Sequence, residues 1–260
     1  MPFAKLKSLL DHPLTKGLDL DDPKTTELRL QIIREKPFLR RIYDEWYQTI
    51  CSAIPAGEGL VLELGSGAGY FREFVPGAIQ SDVFPCSNAH IVADARGLPF
   101  RDKCLKAIVL TNVLHHIPEI ERFLAEASRC LVSGGRILMV EPWVSWWSKL
   151  VFSKLHHEPF APEARDWNIP DSGPLSSANG ALPWIVFWRD RERFSKIFPE
   201  LGIVEIRPIM PFRYLVSGGV SMRSLVPEAS YRAWQIFEGT ALSPWIDKLA
   251  MFAFLSIERS

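Results

Sequence analysis

The sequence predicts an α/β fold built on a parallel, doubly wound sheet. Three observations predict it. Short apolar segments rich in Val, Ile and Leu recur at 60–64, 78–82, 90–94, 106–111 and 136–141. Helical patterns near 69–75 and 119–131 alternate with them. A glycine-rich turn, "LELGSGAGYF" at 62–71, follows the first segment, at the kind of strand end where such sheets take ligands.

The elements follow in order. A helix is predicted over 24–54: Asp22 can cap it, Pro23 suits its first turn, and Leu39, Ile42, Tyr43, Trp46, Tyr47 and Ile50 recur at helical spacing. Pro37 should kink or divide it. "PAGEG" ends it, and the alternating strands begin. Pro118 starts the helix at 119–131 and "SGG" at 133–135 marks its end. The alternation breaks over 143–187. A helix near 189–198 and strands at 202–209 and 249–258 then complete the sheet. The resulting organisation is a helical cap at 1–56 and a main domain at 57–260 with helical cap insertions at about 143–187 and 211–248.

Composition bounds the function. Lys plus Arg balances Asp plus Glu at 30 each, with no basic run, so nucleic acid is not the expected partner. The four cysteines are widely spaced and without a C-x-x-C pair, which fits reduced thiols and a cytoplasmic setting. "MPFAKLKSLLDHPL" lacks the apolar core of a signal segment. No apolar run approaches the roughly 20 residues a membrane span needs.

The glycine turn separates two ligands. A dinucleotide fingerprint needs glycines at 65, 67 and 70, but position 70 is tyrosine. S-adenosylmethionine carries no phosphate: Gly65 and Gly67 would let the backbone approach its methionine part, and Glu63 would supply negative charge near the cation. Asp82 ends the second strand, where a carboxylate can accept from both ribose hydroxyls. "ADARGLPF" places Asp94 and Ala95 at the end of the third, with Leu98, Pro99 and Phe100 as a wall for adenine.

"VLELGSGAGYF", Asp82, "VADARGLPF" and "AIVLTNVLHHIPEIERFLAEASRCLVSGGRILMVEPW" together resemble the class I S-adenosylmethionine-dependent methyltransferases, in the group similar to the ubiquinone and menaquinone biosynthesis enzymes. The resemblance implies a seven-stranded, Rossmann-like sheet, mostly parallel with an antiparallel last strand. It also implies S-adenosylmethionine as cofactor, with the 63–69 turn, Gly69 included, on its methionine part, Asp82 on the ribose, Asp94 and Ala95 on the adenine, and Asn112 beside the sulfonium. One departure is visible: "VFPCSNAH" is too short for the usual crossover helix between the second and third strands, so a loop must replace it.

Methyl transfer needs an aligned nucleophile, and a base only where the acceptor must lose a proton. His115 and His116 follow the fourth strand and are the candidate catalytic residues. Adjacent residues point apart, so both should not serve equally. Glu141, ending the fifth strand, is a further acid. "LHHEP" at 155–159 offers ligand types in His156, His157 and Glu158, but neighbours on one segment rarely converge and no metal is expected.

Of the nine tryptophans, all but Trp46 lie after residue 142. Trp143, Trp146, Trp147, Leu150, Val151 and Leu155 approach a helical stripe, read either as a cap helix on the sheet or as a face for a membrane or lipid-like acceptor. With the second insertion they point to a small or lipid-linked hydrophobic acceptor and possible peripheral membrane contact. A nucleotide-dependent oxidoreductase and a non-catalytic cofactor-binding protein of the same fold are the alternatives.

Overall fold

The computed structural model describes residues 12–15, 21–155, 158–173 and 175–260. His156 and His157 of "LHHEP" lie outside the described residues, as does most of the amino-terminal segment weighed as a leader.

The strands β1 (Leu60–Leu64), β2 (Ile79–Asp82), β3 (Ile91–Val92), β4 (Leu105–Thr111), β5 (Leu131–Pro142), β6 (Leu201–Ile209) and β7 (Phe252–Arg259) form one sheet. Its seven strands run in the order β3-β2-β1-β4-β5-β7-β6. Pairs among β1 to β5 are parallel, and β7 is antiparallel to both β5 and β6. This is the Rossmann-like, doubly wound sheet with a reversed last strand. Chain order reverses between β1 and β4, which opens a crevice at their carboxyl ends.

Side chains alternate across the sheet. Leu62, Ile108, Leu110, Ile137, Met139 and Leu255 enter one core with helix α3 (Ile120–Cys130), whereas Val61, Val109, Leu138, Val140 and Phe254 enter the other with helix α2 (Pro37–Ala53). Burial on both faces is why the strands read as unbroken apolar runs.

The helix predicted over 24–54 is two: α1 (Pro23–Glu35) and α2. Asp22 caps α1 by accepting from the Lys24 amide at 2.9 Å. The break falls at Lys36, whose φ of −109° and ψ of 89° are extended as the following proline demands. The Lys36 ammonium is buried and donates to the carbonyls of Gly219 and Met222 at 2.6 and 2.8 Å. It thereby ties the break to the second insertion.

Two sequence expectations need correction. In place of a helix over 69–75 there is one 3-10 turn, Phe71–Glu73, because glycines before it and Pro76-Gly77 after it leave too few residues to nucleate an α-helix. Helix α3 ends at Cys130, ahead of "SGG"; the glycines instead form an irregularity inside β5, where Gly134 takes a φ of +76° and the β4 partner steps from Leu131 to Arg136. The β2–β3 link is a loop, as its length requires.

The first insertion carries α4 (Trp146–Leu155) and a π-turn at Ile185–Arg189 that leads into α5 (Arg191–Ile197). The second carries α6 (Arg213–Ser217) and α7 (Tyr231–Thr240). Arg213, itself buried, clamps this insertion to α2: its guanidinium donates to both Glu45 oxygens at 2.6 and 2.9 Å and also pairs with Glu238. The tryptophan stripe divides. Val151 and Phe152 are buried, Trp147 donates to the Pro211 carbonyl at 3.0 Å, and Trp146 is 70% exposed. Among the described residues no helix is long and apolar enough to cross a membrane.

Candidate active site

A cavity of about 280 Å³ opens at the carboxyl ends of β1 and β4. The glycine turn forms one side. Gly65 adopts a φ of +66°, and a β-carbon there would meet the Val113 side chain. A β-carbon on Gly67 would meet Thr26 of α1 and lie 2.8 Å from an Asp82 oxygen. Only glycine allows the backbone to pass so close. The Gly67 amide donates to Asp82 Oδ2 at 2.9 Å and the Phe84 amide to Oδ1 at 3.1 Å, so Asp82 holds the turn as well as facing the cavity. Burial raises the Asp82 carboxyl above its ordinary pKa despite these amides.

Glu63 stands behind the turn. It is fully buried, accepts from Gln80 at 3.1 Å, and burial pushes its carboxyl up to about 8. Asp94 and Ala95 line the cavity, and the Asp94 carboxylate is held by Arg96 at 2.7 to 3.0 Å, which keeps its pKa low. Asn112 has a φ of +57°, an uncommon conformation for a residue other than glycine and one that collects at functional sites. Its amide donates to the Val140 carbonyl at 2.9 Å and its side chain bonds the buried Tyr43.

On the other side, the 3-10 turn Leu114–His116 brings both histidines to the cavity. His115 is buried, with Nδ1 2.6 Å from Glu141 Oε2. Glu141 is itself fully buried, and its Oε1 accepts the Val113 and Leu114 amides at 2.8 Å each. Burial works against protonation of His115, but Glu141 and Glu158 outweigh it and raise the pKa to about 9. His116 is pushed down to about 4 by burial and by its cationic neighbour, and its Nδ1 lies 2.8 Å from the Ser177 carbonyl. Glu158 approaches both rings, at 3.5 Å from His115 Nε2 and 3.9 Å from His116 Nε2.

A family model described as a methyltransferase domain matches residues 62–139. No curated protein matches the chain. Among solved structures, geranyl diphosphate C-methyltransferase from Streptomyces coelicolor A3(2), in complex with Mg2+, geranyl diphosphate and S-adenosyl-L-homocysteine, is similar with a TM-score of 0.53 at 13% identity, over 96% of this chain and 90% of that one. A geranyl diphosphate methyltransferase in complex with sinefungin gives 0.51 at 14%, over 89% and 83%. A protein from Pyrococcus horikoshii OT3 gives 0.50 at 13%, over 85% and 92%. Residues 62–139 thus carry a methyltransferase domain on a Rossmann-like sheet.

The glycine turn of this methyltransferase domain fits S-adenosylmethionine: Gly65 lines the cavity, and β-carbons at 65 or 67 would meet Val113, or Thr26 and Asp82, and push the turn out of place. Tyr70, at the place of a dinucleotide fingerprint's third glycine, is buried under α2 with its hydroxyl 2.9 Å from Asp44. Of the residues singled out in the sequence, Gly65, Asp82, Asp94, Ala95, Asn112, His115 and His116 line the cavity of the methyltransferase. Glu63, Gly67 and Gly69 support the turn from behind: a β-carbon on Gly69 would lie 2.6 Å from the Tyr47 hydroxyl. The expectation that adjacent histidines point apart is corrected, because their rings lie 4.2 Å apart on one short turn. Sequence reading missed Arg29, Tyr43 and Tyr214 as wall residues and missed that Glu158 faces His115 and His116. The helical stripe containing Tyr43 was visible, but it signals packing rather than a cavity wall.

Proposed function

We propose that the methyltransferase acts on a small, largely hydrophobic acceptor bound between its two insertions. The observation that carries this is the wall they share with the start of β7: Val151, Phe152, Phe160, Tyr214, Met251 and Phe252 all line the cavity. Such a wall selects apolar surface, with a few convergent polar groups left to orient the acceptor. The similar Streptomyces coelicolor protein, bound to geranyl diphosphate, handles an acceptor with an apolar chain.

In this reading the 63–69 turn holds the methionine part of the cofactor, with Glu63, Gly67 and Gly69 acting from behind Gly65. Asp82 accepts from the ribose hydroxyls, Asp94 and Ala95 flank the adenine, and Asn112 lies beside the sulfonium. The cofactor supplies an electrophilic methyl group; the chain aligns the acceptor and keeps water out, which can account for several kcal/mol, up to about 7 to 11. His115, already carrying a proton between two carboxylates near neutral pH, orients the acceptor instead of serving as a free base.

A lipid-linked acceptor presented at a membrane is the second reading, favoured by exposed Trp146 and Trp245. Incubation with methyl-labelled S-adenosylmethionine and a panel of quinones, polyprenyl-linked sugars and polar phenols tests the class. Label should enter the apolar acceptors; label in the polar ones alone would overturn it. Co-sedimentation with anionic vesicles, weakened by Trp146→Ala, is expected only under the second reading.

A further inference from the structure

We propose that His115, His116 and Glu158 form a binding site for a divalent first-row transition-metal ion on the acceptor side of the cavity. One ligand atom from each lies within 4.8 Å of the others, and all three residues line the cavity. The hydrogen bonds behind the rings determine which nitrogens are available. Glu141, whose other oxygen accepts two amides, must receive a proton from His115 Nδ1, and the Ser177 carbonyl must receive one from His116 Nδ1. When the rings are neutral, both Nε2 atoms therefore carry lone pairs, and both face the Glu158 carboxylate.

A carboxylate behind one metal-binding histidine and a backbone carbonyl behind the other is the arrangement that fixes tautomer and ring direction at metal centres. Bonds of about 2.0 to 2.2 Å require the three atoms to close on the ion slightly from their present spacing. Two imidazoles and one carboxylate suit Zn2+, Fe2+ or Co2+ better than Mg2+ or Ca2+, which prefer all-oxygen shells.

The role of the ion rests on the methyl-transfer reading above. Positions left open by three protein ligands can take an acceptor hydroxyl, whose pKa the ion lowers. The hydroxyl proton passes to solvent, the oxygen attacks the methyl carbon, and the carbon–sulfur bond breaks as the oxygen–carbon bond forms. S-adenosylhomocysteine leaves with the bonding pair on sulfur. The chain thus gains a means of activating an oxygen.

The test is titration of the untagged, metal-stripped full chain with Co2+, followed by the visible absorption of the bound ion and by equilibrium dialysis. One ion per chain is expected. His116→Ala and Glu158→Gln should each weaken it at least tenfold, Glu141→Gln by about 10- to 100-fold, and the double variant His156→Ala/His157→Ala should bind as the parent does. S-adenosylhomocysteine affinity, measured alongside, reports folding and tests the cofactor reading separately. Absence of Co2+ and Zn2+ binding in a chain that binds S-adenosylhomocysteine would overturn the site. Unchanged binding in both His116→Ala and Glu158→Gln, or its loss in the His156/His157 double variant, would overturn the ligand set.

Discussion

On the side of the cavity proposed for the cofactor, Gly65, Asp82, Asp94 and Asn112 stand at or just beyond the ends of β1, β2, β3 and β4, within one stretch of chain. On the side proposed for the acceptor, His115 and His116 meet Glu158 from the first insertion, and Tyr214 arrives from the second. The first side is set by the backbone of a parallel sheet, which delivers strand ends to one edge whatever the insertions do. The second depends on how two insertions dock. The difference predicts that the two sides can be perturbed separately.

Removing the clamp of the second insertion should have the largest effect. Arg213→Met leaves Glu45 and buried Glu238 without their shared cation, and breaking such a pair costs about 3 to 5 kcal/mol. Urea unfolding should show that loss, while the folded fraction keeps its S-adenosylhomocysteine affinity, because none of the three residues lines the cavity. A parallel fall in cofactor affinity would mean that the two sides are one unit.

Next in size is Gly67→Val, which drives a branched side chain toward Thr26 and Asp82. Cofactor affinity should fall at least 100-fold, about 3 kcal/mol, by calorimetry with little change in far-ultraviolet circular dichroism. Asp82→Ala should cost less, about 1.5 to 3 kcal/mol of cofactor binding, as expected for hydrogen bonds to a charged group. Equal affinity in parent and Asp82→Ala would remove Asp82 from the ribose assignment.

What the sequence made legible follows the same division. Asp82 and Asp94 were readable because a short apolar strand followed by an acid is a local pattern, and the sheet turns local pattern into shared location. Tyr43 sits in a helical stripe whose spacing says only that one face is buried, and the structure uses that face both for core and for cavity. Glu158 was read with its chain neighbours, whereas its partners come from the turn after β4. No spacing within "LHHEP" encodes that meeting. The failed helix at 69–75 has a local cause, too few residues between glycines and Pro76, which apolar periodicity alone conceals.

The smallest effect sharpens the view of the cofactor side. Glu63 is buried under the turn, and burial raises its carboxyl to about 8 from the ordinary 4.5. Between those values the folded chain keeps a proton that the unfolded chain releases. Its contribution to stability is therefore whole at low pH and is lost as pH rises through the window, at no more than about 1.4 kcal/mol per pH unit. Glu63→Gln retains the shape and cannot ionise, so the stability difference between variant and parent should grow in the variant's favour from pH 5 to pH 8 in urea unfolding. A difference independent of pH would show that Glu63 is ionised in the folded chain, with its charge directly available to a cationic cofactor.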